Sequence, residues 1–399
     1  MQLYDFEKNR KIIKKELELR LNKNKKIIEY TLNEYKKDYN GYIKEVYGKN
    51  KELYQIDELK NNFTYIFNKT IGTKNLNSKN IYKNISNINL NYNKFQGCEF
   101  NNVKFENCTF FGISFTNCKF NKVIFSNCNF EDEGGLATLF DNNCILNECV
   151  FDKTNLKNTI FINSKLIFTK AILSSLRNTI FYQCYIDNIT FNDCDLKALK
   201  TIESEIKFFC FEDEYLSKVD ENTFIDILKN DTKDEKIYKD MFKDYKSISA
   251  IFEKNRLFNY SGEYYYLAKC SEKKYLKGLE KLKSNIFYYI CGYGERPTFA
   301  LISSLEIVLV FSIIYMFSGL CINERIIHYD MNILYYLPRK LLYMDLIDCF
   351  YFSLVTFTSV GYGDIFPIGY SVIFSCIEMI LGVTMVGVWT ATLARKITR

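Results

Sequence analysis

Large apolar residues fall at every fifth position from Leu90 through Phe95, Phe100 and Phe105 to Phe130. Two residues ahead of these centres runs a second series, Cys98, Val103, Cys108, Ile113, Cys118, Val123 and Cys128. A period of five matches neither the roughly 3.6-residue turn of a helix nor the alternation of a strand. It matches a solenoid whose short faces each send one large and one small apolar residue inward, so that successive coils bury one another by stacking. The frame slips by one around "EDEGGLATLF" and resumes at Leu146, Phe151 and Leu156, holding to Leu196. Glu131 to Gly135 is therefore expected to leave the stack as a protruding loop.

Stretches such as "CEFNNVKFENCTFFGISFTNCKF" resemble the pentapeptide-repeat family over roughly residues 80 to 210. The resemblance implies a right-handed, four-sided β-helix of about twenty residues per coil, with Phe100 above Phe120 and Cys98 above Cys118. Ladders of that kind are core. The chain has 14 cysteines, nine of them in this region, and they are expected to be reduced and buried, neither a disulfide framework nor a metal series. Some members of that family imitate DNA with an acidic surface. Here Lys94 through Lys200 carries 11 basic and 11 acidic residues, so no such field exists and no nucleic-acid partner is expected.

On either side of the repeat, at 80–211, the composition turns helical. The first 75 residues combine Leu, Ile and Tyr with 17 basic and 11 acidic residues and contain no proline. Residues 1–79 thus read as amphipathic helices or a coiled-coil-like assembly element, with a solvated face or one that touches anionic lipid. The opening "MQLYDFEKNRKIIKKELELR" carries charges where a signal peptide would be apolar, which points to a cytoplasmic start. Residues 212–298 form a helical linker, with "YKDMFKDYKSISAIFEKNRLF" and "YYYLAKCSEKKYLKGLEKLKSNIFYYI" as candidate helices. "CGYGERPTF" closes it as a turn, with Pro297 in the first turn of the next helix.

The last part of the chain, 299–399, has a different solvent. Phe299 to Ile322 holds one charge, Glu306, and Ile365 to Ala394 holds one, Glu378. Each run reaches the ~20 residues that a helix needs to cross hydrocarbon. Lys281, Lys283 and Arg296 precede the first span, and Arg395, Lys396 and Arg399 follow the second, which places both termini in the cytoplasm. The segment between is outside or re-entrant. Its "DLIDCFYFSLVTFT" suits a helix of about three turns, too short to span, that ends near Thr358 with its negative dipole end toward the membrane interior. Ser359, Val360, Gly361, Tyr362 and Gly363 then run extended, with carbonyls turned to one side and Val360 and Tyr362 packed outward. Rings of such carbonyls replace the hydration shell of an ion, and one chain cannot form a ring.

The stretch "TSVGYGD" resembles the selectivity filter of the potassium-channel family, and residues 299 to 396 resemble its two-span pore. The resemblance implies a homotetramer, with Thr358 to Gly363 as the filter, K+ held through Ser359, Val360, Gly361 and Tyr362, and Asp364 at the outer mouth. It departs from the family at Ser359, where threonine is usual, which leaves a looser innermost site. Gly382 stands near the family's hinge glycine. Gly382 and Gly387 are candidates for a gating hinge, with close helix packing as the other reading. Glu378, an acid inside a span, needs a partner. A hydrogen bond to the pore-helix region and an influence on conduction both remain open for it, and Glu306 is placed in the inner half of its span.

Neither span has a regular arginine series, so no voltage sensor is expected. No phosphate-cradling or dinucleotide-binding motif appears, and the regulatory ligand or partner is unnamed. His328 is the single histidine and is assigned to the outer loop, which leaves no histidine-based triad or zinc cluster. The chain therefore reads as a multidomain membrane protein that is not an enzyme and implies no cofactor beyond K+ as permeant ion. It is expected in the plasma membrane of a prokaryotic cell, in contact with lipid, with the β-helix as scaffold or sensor. A nonselective cation channel and a membrane-tethered scaffold with a nonconducting pore are the alternatives.

Overall fold

A computed structural model describes residues 5–39, 43–48, 53–56, 63–73, 81–131, 134–228, 234–322, 325–330 and 339–398. They divide into two compact units, Met1–Tyr275 and Leu276–Arg399.

The five-residue period shapes the first unit through its corners. Asn102, Asn107, Asn117, Lys122 and Asn127 all have φ between 51° and 53°, and Gly112 takes the same place at 57°. Asparagine tolerates this left-handed region because its short amide bonds to nearby backbone. With a corner at Asn107, Phe105 two residues earlier and Cys108 one later both turn inward and are buried. Successive coils pair as parallel strands. Phe100 registers with Phe120, their rings 4.6 Å apart and 3° from parallel. A single ladder runs through eight layers, Ile66, Phe95, Phe115, Phe140, Phe161, Phe181, Thr201 and Ile225. All fourteen cysteines are free thiols. Those of the small series feed hydrogens to the coil below, as Cys118 does to the Phe95 carbonyl at 3.4 Å. Thr154 takes the same place in a later coil and donates to the Phe125 carbonyl at 2.8 Å.

Three boundaries differ from the sequence reading. Strand pairing already starts at Lys44–Tyr47, Thr64–Phe67 and Thr70–Gly72, inside the region expected to be helical, and ends at Phe224–Ile227. Ile66 and Ile71 keep the period there, but two members are too few to reveal it. The frame slip lies later than expected: Phe140 still stacks on Phe115, and the extra residue sits at the double corner Asn142 and Asn143. Within the expected loop, Gly134 is exposed and Glu131 half-buried, while 132 and 133 lie outside the described residues.

Helix α1, Phe6–Tyr39, is the expected amphipathic helix: it covers one side of the solenoid with one face and leaves the other exposed. Leu17 packs with Ala137, Ile160 and Ile180, and Ile13 with Ile202 and Phe224. Arg10 grips the Asp226 carboxylate with bonds of 2.6 and 2.8 Å, and the Asn24 amide exchanges two 2.7 Å bonds with the backbone of Ala137. The acidic and basic residues of this helix are thus partly spent on the coils. Helices α2, Glu235–Lys254, and α3, Phe258–Tyr275, join the apolar core of the last coils through Tyr245, Ile248, Phe252 and Tyr264. Asp244 of α2, only 2% exposed, accepts the backbone N–H groups of Phe208 and Phe209 at 3.2 and 2.9 Å.

The second unit opens with α4, Gly278–Cys291, so that the long helix expected over "YYYLAKCSEKKYLKGLEKLKSNIFYYI" is two helices. The following Gly-Tyr-Gly is a tight turn in which Gly292, Tyr293 and Gly294 all have positive φ. Pro297 then occupies the first turn of α5, Pro297–Ser318. Helix α6 is Arg339–Phe357 and helix α7 is Ser371–Ile397. Helices α5 and α7 are long and apolar enough to cross a membrane. Both are displaced from the apolar runs, because Leu320–Ile322 and Ile365–Pro367 pair as antiparallel strands, with Arg325–Ile327 as the third strand. Gly319, at φ 108°, ends α5, and Pro367 with Gly369 delays α7.

Candidate ion pathway

Helix α6 is longer than expected, extending six residues ahead of Asp345 to Arg339. The buried Asp345 carboxylate accepts from Arg325 and from the Tyr329 hydroxyl, which ties the first part of α6 to the neighbouring strand and its exit. At the other end the helix unwinds through Thr358, whose N–H still reaches the Leu354 carbonyl at 3.0 Å. Beyond it the backbone alternates. Ser359, Gly361 and Gly363 have φ of 57°, 62° and 75°, while Val360 and Tyr362 between them are not in the positive region. In an ordinary strand successive carbonyls point to opposite sides; reversing the sign of φ at every second residue brings them round to one side. Glycine meets that demand at two positions without strain, and at these two an added side chain would find open space. The constraint there is the backbone angle itself.

All residues from Thr358 to Asp364 are exposed on the single chain, Val360 by 54% and Tyr362 by 71%. Tyr351 of α6 donates to the Asp364 carboxylate at 2.8 Å, and its ring lies parallel to that of Tyr362 at 6.5 Å. Helix α6 therefore touches the segment beyond its own end, through a tyrosine that no sequence pattern had singled out.

Behind the strand, α7 packs on α5 and α6 by one stripe: Ser371, Ser375, Glu378, Gly382, Met385 and Thr392 are its buried residues. Glu378 is fully buried and accepts from the Tyr315 hydroxyl of α5 at 2.7 Å, while its other oxygen meets the Ser353 hydroxyl of α6. Gly382, one turn on, lies so close to the Phe357 carbonyl that any Cβ would overlap it. That contact is close packing, and α7 runs unbroken through it; Gly387 has open space around it. Glu306 is exposed in the first half of α5, close to its middle. His328 is exposed just beyond the Arg325–Ile327 strand. At the end of α7, Arg395 forms a 3.0 Å ion pair with Glu295, which is 1% exposed in the turn before α5. Tyr315, Ser353, Tyr351 and Glu295 were not identified as functional from sequence. Only the isolated acid in an apolar run, Glu378, signalled that partners had to exist.

Comparison with known proteins divides the chain in the same way. Residues 325–399 match the family model described as ion channel, and residues 95–136 match that of pentapeptide repeats. No curated protein matches the chain. Among solved structures it is similar to a trypsin-treated form of QnrB1, a plasmid-mediated fluoroquinolone resistance protein, at 14% identity over 46% of this chain and 86% of that one, with a TM-score of 0.24. It is also similar to HetL, a pentapeptide repeat protein involved in heterocyst differentiation regulation from the cyanobacterium Nostoc, at 10% identity over 49% and 94%, with a TM-score of 0.13. At these scores neither likeness carries a functional argument. The chain thus joins a segment that matches the ion-channel model, beside two helices long and apolar enough to cross a membrane, to a parallel β-solenoid that matches pentapeptide repeats.

Proposed function

We propose that the protein is a potassium-selective channel that conducts K+ passively through a homotetrameric pore, and that it acts as a transporter of ions and not as an enzyme. The observation that carries this reading is the alternation of backbone sign at Ser359, Gly361 and Gly363, which lets carbonyls from several copies converge on a dehydrated cation. Exposed non-helical backbone at membrane depth is tolerable only when protein covers it or it lines a conduit. Four copies around one axis meet both conditions for Thr358 to Asp364. K+ would be held by the carbonyls of Ser359, Val360, Gly361 and Tyr362, with Asp364 at the outer mouth. The basic residues Lys281, Lys283 and Arg296 before α5, and Arg395 and Lys396 in the last turn of α7, favour cytoplasmic ends in a prokaryotic plasma membrane. The solenoid, α1, α2 and α3 then form a cytoplasmic body for assembly or gating.

The test is substitution at the two glycines. Gly361→Ala or Gly363→Ala forces an L-residue into the left-handed region where carbonyls must line up, and should abolish potassium-selective flux into liposomes. Circular dichroism of the same samples should keep the β-solenoid signal. Normal selective flux in either variant would overturn the assignment. Ser359 favours one second reading, a nonselective cation channel, because serine holds the hydroxyl without the methyl that would brace it; comparable Na+ and K+ flux in the unmodified protein would establish it.

A further inference from the structure

We infer that Glu378 is a positioning residue for ion selectivity: through its hydrogen bonds to Tyr315 and Ser353 it fastens the pore helix to both spanning helices and so sets where the filter strand begins. This rests on the proposed potassium-selective pore. Three contacts form a chain: the Tyr315 hydroxyl to one Glu378 oxygen at 2.7 Å, the other Glu378 oxygen to the Ser353 hydroxyl, and that hydroxyl to the Val308 carbonyl at 2.9 Å. The Val308 carbonyl also accepts the Ser312 hydroxyl at 2.6 Å, so it does not need the single Ser353 hydrogen, which goes to Glu378. The Tyr315 hydrogen goes to Glu378. Each carboxyl oxygen thus accepts one hydrogen bond, from Tyr315 of α5 and from Ser353 of α6. All three side chains are buried, where an unmatched oxygen pair would be costly.

The position of the chain gives it leverage on the filter. Ser353 and Phe357 are one turn apart on α6, and Glu378 and Gly382 are one turn apart on α7; the two helices meet at Glu378 with Ser353 and again at Gly382 with Phe357. Both helices run in the same direction through these contacts. The second contact is on the carbonyl of the last residue of α6, directly before Thr358. Losing the bond at Ser353 leaves α6 free to rotate about the Gly382 contact, and the strand starts from a shifted point.

Full-length channels in planar bilayers, with K+ on one side and Na+ on the other, test this, with tetramer melting in detergent measured alongside. Glu378→Gln keeps both bonds, since its amide donates to Ser353 and accepts from Tyr315; it should retain the unmodified permeability ratio. Glu378→Ala, Ser353→Ala and Tyr315→Phe should each raise relative Na+ permeability, by about tenfold for one lost buried hydrogen bond. Where Glu378→Ala does not assemble, the two partner variants carry the test. Loss of selectivity in Glu378→Gln would show that a charge is required and overturn the inference. An unchanged ratio in assembled Ser353→Ala and Tyr315→Phe channels would overturn it too, even if they melt earlier. A nonselective unmodified protein would instead overturn the reading on which it stands.

Discussion

At Asp244 burial outweighs everything else that acts on the carboxyl. It pushes the group up to about 7, against the two backbone N–H groups of Phe208 and Phe209 and nearby Lys243, which favour the charged form. An unfolded aspartate releases its proton near about 4. Between roughly pH 4 and 7 the folded protein therefore binds a proton that the unfolded chain has lost, and stability falls as pH rises through that window, by ~4 kcal/mol at most. Asp244→Asn cannot titrate and should flatten the slope. Hydrogen exchange of Glu235–Lys254 in the full-length protein, followed from pH 5 to 8, reads the difference. An identical pH slope in the variant would exclude Asp244 as its source. Neither this residue nor the partners of Glu378 could be picked out beforehand. Phe208 lies 36 positions away from Asp244, and Tyr315 lies 63 from Glu378, so nothing local marks either pair. The backbone at Gly361 and Gly363 was readable because glycine suits the left-handed angles found there. At Gly382, read as a hinge or a close-packing site, the sequence held no sign that the Phe357 carbonyl fills the space of the missing side chain.

Among the elements, the solenoid was legible where its period was long and unbroken. It was obscure at its ends, where too few repeats precede Lys94 and where a strand of four residues, Phe224–Ile227, closes the stack without continuing the frame. Helix α1 could be recognised as a helix, but the surface it covers could not, since the polar groups it uses bind ordinary backbone and carboxylates. Two perturbations measure these layers separately. Phe120→Ala opens a cavity between the stacked Phe100 ring and the edge-on Phe115 ring, and should cost about 3–5 kcal/mol in chemical denaturation. Asn24→Ala strands the N–H and carbonyl of Ala137 and should cost about 1–3 kcal/mol. The exchange protection lost with Asn24 should be confined to α1 and the coil around Ala137. Loss spread evenly over all eight layers would mean that helix and solenoid unfold as one.

For the whole molecule, the question is what ties the entry of the channel domain to its last helix. The turn before α5 holds the end of α7 by the pairing of Glu295 with Arg395, a contact between the segment that enters the channel domain and the helix that leaves it. Glu295→Gln and Arg395→Gln should shift single-channel open probability in the same direction, and exchanging the two charges should restore it; additive effects with no restoration would exclude the pair as a coupling element. All of this presumes a selective pore, and that claim is tested most directly by the reversal potential of the purified full-length protein in planar bilayers, with potassium on one side and sodium on the other. The alternating backbone of Ser359 to Gly363 predicts a reversal displaced strongly toward the potassium equilibrium potential. A measurable current that reverses near zero would contradict it.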